Sequence, residues 1–431
     1  MNENYQAFYW SKLDNVARLY SLVSDAKATN VFRLSVKMKD PVQADKLSDA
    51  ILAALLEMPS FSVRLRMGLF WYYFDMNIQK PRVRKEYTYP CSKMTKFTNN
   101  GYLFNITYFE NMIHLEVFHA LADGGGASQF LKVVLYQYLK RCYPDAIPNH
   151  LDLGGGLPSQ SAMDEDSFLK VQSEFKGKVI PTKTIAYKIS GIKKRPQELK
   201  VIHGIMPTTQ IIKLAKQYKV TMSSFLTSLL IYSIYVENAK FSKKRAPLTA
   251  IVPIDLRGRF HSQTVRNFFS NVSVSVEIKD ELSFEEILSL VSEQLKDGQE
   301  QQVVSHRIRD NVSAQENLAI RFVPLFMKNI VMKHIYVQAD RGVTTTLSNL
   351  GRIVLPSEME DFIQDIRVMI PITPHQPIRC GVCSFKDQFV ISFTSSLEET
   401  DIQRHFLRFL REHGVEITIS CNEEKNNEIL L

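Results

Sequence analysis

The chain lacks several features that would place it in a specialised class of protein. Its 431 residues contain no run of about twenty apolar residues, so no transmembrane helix is predicted. The five cysteines are an odd number scattered along the chain, which indicates reduced thiols rather than a disulfide framework. The sequence also has no charged-then-apolar signal pattern at its start and no phosphate-binding glycine loop. We therefore expect a soluble, cytoplasmic protein.

What is present is an ordinary globular composition with a positive charge. Hydrophobic residues make up 45% and charged residues 23%, and the length suffices for two domains with cores of their own. The formal net charge is +8, but lysines and arginines cluster only at residues 193–195 and 243–245, with no nucleic-acid-binding motif beside them. These clusters are interpreted as solvated loops, with an anionic partner as the alternative.

The pattern of apolar residues predicts a mixed α/β fold. In the first part of the chain it predicts helices over residues 11–25, 41–58 and 127–143, strands over 30–36 and 69–74, and a hairpin over 102–118. Residues 151–178 are rich in glycine, serine, proline, aspartate and lysine and form the candidate linker. Beyond it, strands are predicted over 184–189, 200–207, 248–253, 271–278, 344–349 and 381–394, and helices over 208–218, 221–237, 283–302, a stretch ending at 336, and 399–413.

One segment, HALADGGG from His119 to Gly126, stands between a predicted strand and a predicted helix. An imidazole at the end of a strand titrates near neutral pH and can take a proton from a hydroxyl or amine. The alternative is a histidine that only hydrogen-bonds the backbone, which is common in proteins that run no reaction.

The HxxxDG pattern resembles the coenzyme-A-dependent acyltransferase superfamily, to which chloramphenicol acetyltransferase and condensation domains belong. Three further segments carry the resemblance in the same order: MPSFSVRLR, with Pro59 and Arg64; VPIDLRGRF followed by VRNFFSN; and SNLG. Phe118 stands where condensation domains carry a first histidine, and the DFGWG motif of plant hydroxyl acyltransferases is absent. The chain thus looks most similar to bacterial alcohol-acetyltransferase-like or polyketide-associated acyltransferases.

The resemblance implies a fold and a set of roles. It implies two chloramphenicol-acetyltransferase-like α/β halves, residues 1–165 and 180–431, with an active-site tunnel between them. His119 would be the general base, Asp123 would pair with Arg257 in a structural role, and Gly124 would permit the turn into the helix. Oxyanion or substrate contacts are expected within residues 267–271 and 348–351, with Asn271 and Ser348 preferred.

The implied reaction moves an acyl group from acyl-coenzyme A, or from acyl-phosphopantetheine on a carrier protein, to an alcohol or amine. No permanently bound cofactor is expected. A metal site is not expected either, because Cys380 and Cys383 lie three apart on a predicted strand, and His114 and Glu116 have no third ligand. The alternative function is a non-catalytic, condensation-domain-like protein that docks a carrier protein or ligand.

Overall fold

The computed structural model describes residues 10–95, 97–153, 158–171, 185–243, 245–316, 322–422 and 429–430. Within these ranges the chain forms a five-stranded sheet, an eight-stranded sheet and a three-stranded sheet, with helices packed around them. The mixed α/β class predicted from the sequence is confirmed.

The first part of the chain builds most of the five-stranded sheet. Its elements are β1 (Trp10–Lys12), α1 (Asn15–Val23), β2 (Val31–Met38), α2 (Ala44–Glu57), β3 (Val63–Met67), β4 (Tyr72–Met76), β5 (Val83–Lys85), β6 (Phe104–Phe109), β7 (Met112–Phe118), α3 (Gly124–Cys142) and α4 (Gln160–Met163). Strands β6 and β7 form the predicted hairpin, which turns at Glu110 with a positive φ of 49°. Strand β7 lies between β2 and β6, and most of its residues are buried.

The second part builds the eight-stranded sheet. Its elements are β8 (Lys200–Pro207), α5 (Thr208–Gln217), α6 (Met222–Ile234), β9 (Leu248–Asp255), α7 (Arg257–Phe260), β10 (Phe269–Val276), α8 (Phe284–Gly298), α9 (Gln301–Glu316), α10 (Leu325–Arg341), β11 (Thr345–Arg352), α11 (Ser357–Glu360), β12 (Ile363–Met369), β13 (Ile378–Phe385), β14 (Gln388–Ser395), α12 (Asp401–Glu412), β15 (Thr418–Cys421) and β16 (Ile429–Leu430). As its apolar sequence predicts, α6 is buried on nearly all sides.

One strand crosses between the two parts. Strand β12 pairs antiparallel with β2 in the first sheet, with Met369 opposite Arg33, although it follows the candidate linker at 151–178 in the chain. It also packs against β13 and β14 of the larger sheet. The boundaries at 1–165 and 180–431 therefore stay a prediction, and the segment from 363 to 369 ties the two parts together.

Several predicted elements differ in the structure. The strand predicted over 184–189 is wrong for residues 185–189: Ala186 and Tyr187 donate to Arg341 and Pro247, two separate segments, instead of forming a ladder with one strand. The predicted strand at 69–74 starts only at Tyr72, because the chain turns at Gly68, whose N–H bonds the Trp71 carbonyl. The helix over 283–302 breaks after Gly298, and the segment 381–394 is a hairpin of β13 and β14.

The candidate linker is partly packed. Residues 154–157 and 172–178 lie outside the described residues. The part that is described contains α4, and Phe168 and Val171 are buried in a cluster with Phe268. Thr264 donates to the carbonyls of Met163 and Glu165. This stretch is therefore held against the second part of the chain.

No single helix in the described part of the chain is both long and apolar enough to cross a bilayer, although the bent pair Thr208–Gln217 and Met222–Ala239 passes on length and composition.

Candidate active site

His119 is the first residue after β7, and its position follows from that strand. Its backbone N–H donates to the carbonyl of Asn30 at 2.8 Å, which fixes the chain where it leaves the sheet. Three aromatic rings surround the imidazole: the ring centroids of Tyr20, Phe32 and Phe269 lie 4.8, 5.0 and 5.4 Å from that of His119. The ring plane is therefore confined on several sides.

A hydrogen bond sets the tautomer of His119. Its Nδ1 lies 3.0 Å from Oδ1 of Asn267. The amide of Asn267 is oriented in turn by Asp14, because its Nδ2 lies 3.2 Å from Oδ2 of that carboxylate. An amide oxygen only accepts, so Nδ1 carries the proton and Nε2 keeps its lone pair. Nε2 has no hydrogen-bond partner among the described residues.

Burial keeps this imidazole neutral. Removal from water lowers the pKa of His119, and the opposing influences of Asp123 and of the Asn267 hydrogen bond do not restore it to its ordinary value. A neutral ring with an unoccupied Nε2 is the protonation state that a general base needs at neutral pH.

Asp123 forms its hydrogen bonds with groups other than His119. Its Oδ1 accepts from Nη2 of Arg257 at 2.7 Å and from the N–H of Gly126 at 2.9 Å, and its Oδ2 accepts from the N–H of Phe268 at 2.8 Å. It thereby caps the N-terminus of α3. Burial alone would raise the pKa of Asp123, but the Arg257 charge and these donors hold it below its usual value. The structure brings Asp123 and Arg257 together as the sequence predicts.

Arg257 ties the pair to the loop that carries Asn267. Besides Asp123, its guanidinium donates to the carbonyls of Thr264 and Arg266 at 2.8 and 2.7 Å. Arg257 therefore binds the residue before Asn267, and Asp123 binds the residue after it. One buried ion pair therefore holds the backbone on both sides of Asn267, which is the hydrogen-bond partner of His119.

The three glycines after Asp123 permit close packing. A Cβ atom on Gly126 would lie 1.9 Å from the carbonyl oxygen of Val265, and one on Gly124 would lie 2.3 Å from the side chain of Leu350. We expected Gly124 to permit the turn into the helix. It begins α3 without a positive φ, and the space that it leaves is filled by Leu350, so its role in the turn stays a prediction.

A cavity of about 480 Å³ opens at His119 and is bounded by both parts of the chain. All six predicted site residues line this cavity: His119, Asp123, Gly124, Arg257, Asn271 and Ser348. The side chains of Asn271 and Ser348 make no hydrogen bond to other described residues, so their donors are available to a ligand. A tunnel open on both sides stays a prediction, and the cavity lies where that tunnel is expected.

Two residues of the site were missed or assigned differently from the sequence. The sequence predicts Asn267 only as an oxyanion or substrate contact, whereas Oδ1 of its amide lies 3.0 Å from Nδ1 of His119. Asp14 was not selected, although an aspartate before a helical pattern is a signal for an N-cap, and it caps α1 by accepting from Ala17. Nothing in the sequence indicates that its second oxygen reaches the loop at 267.

Four residues of metal-binding types, for which the sequence predicts no metal site, lie away from the cavity at His119. Cys380 and Cys383 are both buried, and burial raises the pKa of Cys383 to about 12. Glu116 accepts from Arg33 at 3.0 Å, and Nδ1 of His114 lies 2.8 Å from the hydroxyl of Ser35. None of the four lines the cavity at His119.

Comparison with known proteins shows which solved structures share this fold. No protein-family model and no curated protein matches the sequence. Solved structures match over nearly the whole chain. The chain therefore has the fold of the coenzyme-A-dependent acyltransferase superfamily. This fold is shared with condensation domains.

Three of these structures show the extent of the similarity to the superfamily. Polyketide synthase associated protein 5 from Mycobacterium tuberculosis is 13% identical, with 94% of this chain and 99% of that chain covered and a TM-score of 0.57. TRI101 of F. sporotrichioides, solved with coenzyme A and T-2, is 10% identical over 95% and 99%, with a TM-score of 0.64. The trichothecene 15-O-acetyltransferase TRI3 from Fusarium sporotrichioides is 9% identical, with 93% of this chain and 93% of that chain covered and a TM-score of 0.58.

Proposed function

We propose that the protein is an acyltransferase that moves an acyl group from a thioester to an alcohol or amine, with His119 as general base. The observation that carries the proposal is a partly buried imidazole on the cavity wall whose Nδ1 hydrogen-bonds Asn267 while Nε2 has no partner among the described residues. Its lowered pKa favours the neutral ring. The superfamily fold supports the same reaction class, because TRI101 was solved with coenzyme A in this fold.

The reaction would proceed by direct transfer. Nε2 of His119 removes the proton from the acceptor hydroxyl or amine as that atom attacks the thioester carbonyl. The carbonyl oxygen becomes an oxyanion, for which the Ser348 hydroxyl and the Asn271 amide are the candidate donors. When the tetrahedral intermediate collapses, the carbon–sulfur bond breaks and the imidazolium returns the proton to the leaving thiolate.

In this proposal Asn267 and Asp14 are positioning residues, and the hydrogen bonds from His119 to Asn267 and from Asn267 to Asp14 support that role. The Asn267 amide oxygen stabilises the N–H at Nδ1, both in the neutral ring and in the imidazolium that forms during transfer. Asp14 orients the amide, because Nδ2 of Asn267 donates to Oδ2 of Asp14 at 3.2 Å. The chain thus uses a neutral amide where catalytic triads place a carboxylate on the histidine.

Thiol release tests the proposal. Purified protein is incubated with acetyl- or octanoyl-coenzyme A and a panel of alcohols and amines, and free thiol is measured together with the acylated product. We expect His119→Ala to lower acyl transfer by about 100-fold or more, as loss of a general base does, with an unchanged melting temperature. His150→Ala replaces an exposed histidine outside the cavity and is the matched control.

The outcomes separate the two functions. Equal activity of His119→Ala and the unaltered protein would refute the general-base role. Binding of coenzyme A or of a loaded carrier protein, without thiol release in any acceptor assay, would instead support the non-catalytic binding protein. A second donor arm with octanoyl-phosphopantetheine on a carrier protein distinguishes the two thioester sources.

A further inference from the structure

Arg379, in β13, also lines the cavity, and its side chain is 13% exposed. No step of the proposed reaction uses this guanidinium. A buried cation on the wall of a substrate cavity requires an explanation, because removing it from water is costly unless something compensates for the charge.

The surrounding residues hold the guanidinium in one orientation. Nε donates to Oε1 of Gln376 at 2.9 Å, and Nη1 donates to the Pro371 carbonyl at 2.8 Å. The amide of Gln376 is itself fixed, because Oε1 also accepts from Thr346 at 2.7 Å and Nε2 donates to Asp340 at 2.7 Å. Arg379 is therefore positioned in advance of any ligand, which lowers the entropic cost of binding.

The protein leaves most donors of this guanidinium unused. Arginine has five N–H donors, and the two bonds above occupy two of them. The nearest carboxylate oxygen, Oδ1 of Asp340, is 4.0 Å from Nη2, beyond hydrogen-bonding distance, and it already accepts from Thr373 and Gln376. Among the described residues, Nη2 thus has no hydrogen-bond acceptor.

The charges at this end of the cavity are unbalanced. Asp340 is the carboxylate beside Arg379, and Lys188 lies close to it, donating to the backbone carbonyls of Asp340 and Val343 at 3.3 and 2.8 Å. Arg341 adds a further positive charge next to Lys188. Asp340 is the one acid among these four residues, so their summed charge is positive and favours an anion.

We propose that Arg379 binds a carboxylate carried by the acyl acceptor, so that the acceptor is a hydroxy acid or amino acid whose nucleophilic atom reaches His119. This inference rests on the proposed function, since it names the substrate class for that site. A guanidinium with free Nη donors matches the two oxygens of a carboxylate. The neighbouring Asp340 makes the position less suitable for a doubly charged phosphate than for a single negative charge.

Binding is tested first without catalysis. A series of linear hydroxy acids, from 3-hydroxypropanoate to 12-hydroxydodecanoate, and their methyl esters are titrated calorimetrically into the His119→Ala protein. We expect at least one acid to bind about 10-fold or more tightly than its ester, as one charge-assisted hydrogen-bonded pair allows. Because no acyl donor is present in this titration, the result does not depend on the proposed function.

Variants then assign the effect to Arg379. Arg379→Gln should remove the preference for the acid, Arg379→Lys should retain part of it, and Arg404→Gln, on the exposed face of α12, should leave it unchanged. Melting temperatures identify any variant that is not folded. If Arg379→Gln is not folded, the proposal is tested by Arg379→Lys and by the comparison of acids with esters in the protein that retains Arg379.

Two results would overturn the proposal. One is equal affinity for acids and esters along the whole series. The other is that Arg379→Gln weakens the binding of coenzyme A or inorganic phosphate but does not weaken the binding of any carboxylate. That result would assign the guanidinium to the phosphates of the donor. If acids bind as expected but the unaltered protein transfers no acyl group to them, the carboxylate site stands and the proposed reaction is wrong.

Discussion

The buried pair of Asp123 and Arg257 yields a quantitative prediction about folding. Asp123→Ala leaves the Arg257 guanidinium with Asp255, a carboxylate that is 60% exposed, as its remaining acidic partner, and it removes the cap of α3. Breaking a buried ion pair by removing one partner costs about 3–5 kcal/mol. Arg257→Ala should cost slightly less, because Asp123 retains the N–H groups of Gly126 and Phe268.

The double variant distinguishes an interacting pair from two independent residues. Each single variant leaves a buried charge without its main partner, which the double variant does not. We therefore expect the double variant to be destabilised by about 1–3 kcal/mol less than the sum of the two single effects. The free energy of unfolding is measured by urea titration, with the slope m compared among the variants to check two-state behaviour.

A control and a pH series complete this test. The combination of Asp123→Ala with Arg404→Ala, a surface residue on α12, should be additive. The folded pKa of Asp123 lies below its unfolded value, so its contribution to stability is present above about pH 4 and is lost as the pH falls. Additive losses for Asp123→Ala and Arg257→Ala, to within about 0.5 kcal/mol, would refute the coupling.

Three further predictions concern His119 and its partners. Asn267→Ala should lower kcat by about 100-fold with little change in KM, since it removes the group that fixes the His119 tautomer; equal kcat values would contradict this role. The low pKa of His119 predicts that kcat/KM falls only below about pH 6.5, and a plateau starting above pH 7.5 would contradict it. Burial raises the pKa of Asp14 to about 7, so folding should lose stability as the pH rises from about 4 to 7, and Asp14→Asn should flatten this loss in melts at pH 5 and 8.

Local patterns predicted most of the regular elements but not their ends. The hairpin of β6 and β7 is visible because its β-branched and aromatic residues flank a short polar turn at Glu110 and Asn111. The break between α8 and α9 was missed because the helical periodicity continues across Gln299 and Glu300. Periodicity reports which face is buried, and it does not report where the hydrogen-bond ladder stops.

Contacts between distant segments could not be predicted in the same way. The pairing of β12 with β2 brings Met369 beside Arg33, and no property of either segment specifies that register. The contact between Asp14 and Asn267 likewise spans 253 residues. Both join segments that are far apart in the chain, and no short window of the sequence specifies such a contact.

The structure explains why the histidine and the aspartate of the motif are four residues apart. His119 must be the first residue past β7 to reach the cavity, and Asp123 must be the residue immediately before α3 to cap it. The spacing is therefore the length of chain needed to turn from the sheet into the helix. From its cap position Asp123 also accepts from Phe268, next to Asn267, so the carboxylate acts on His119 through the loop that orients the imidazole. A variant that keeps the carboxylate but shifts it by one residue should fold poorly and also lose the hydrogen bond at Nδ1.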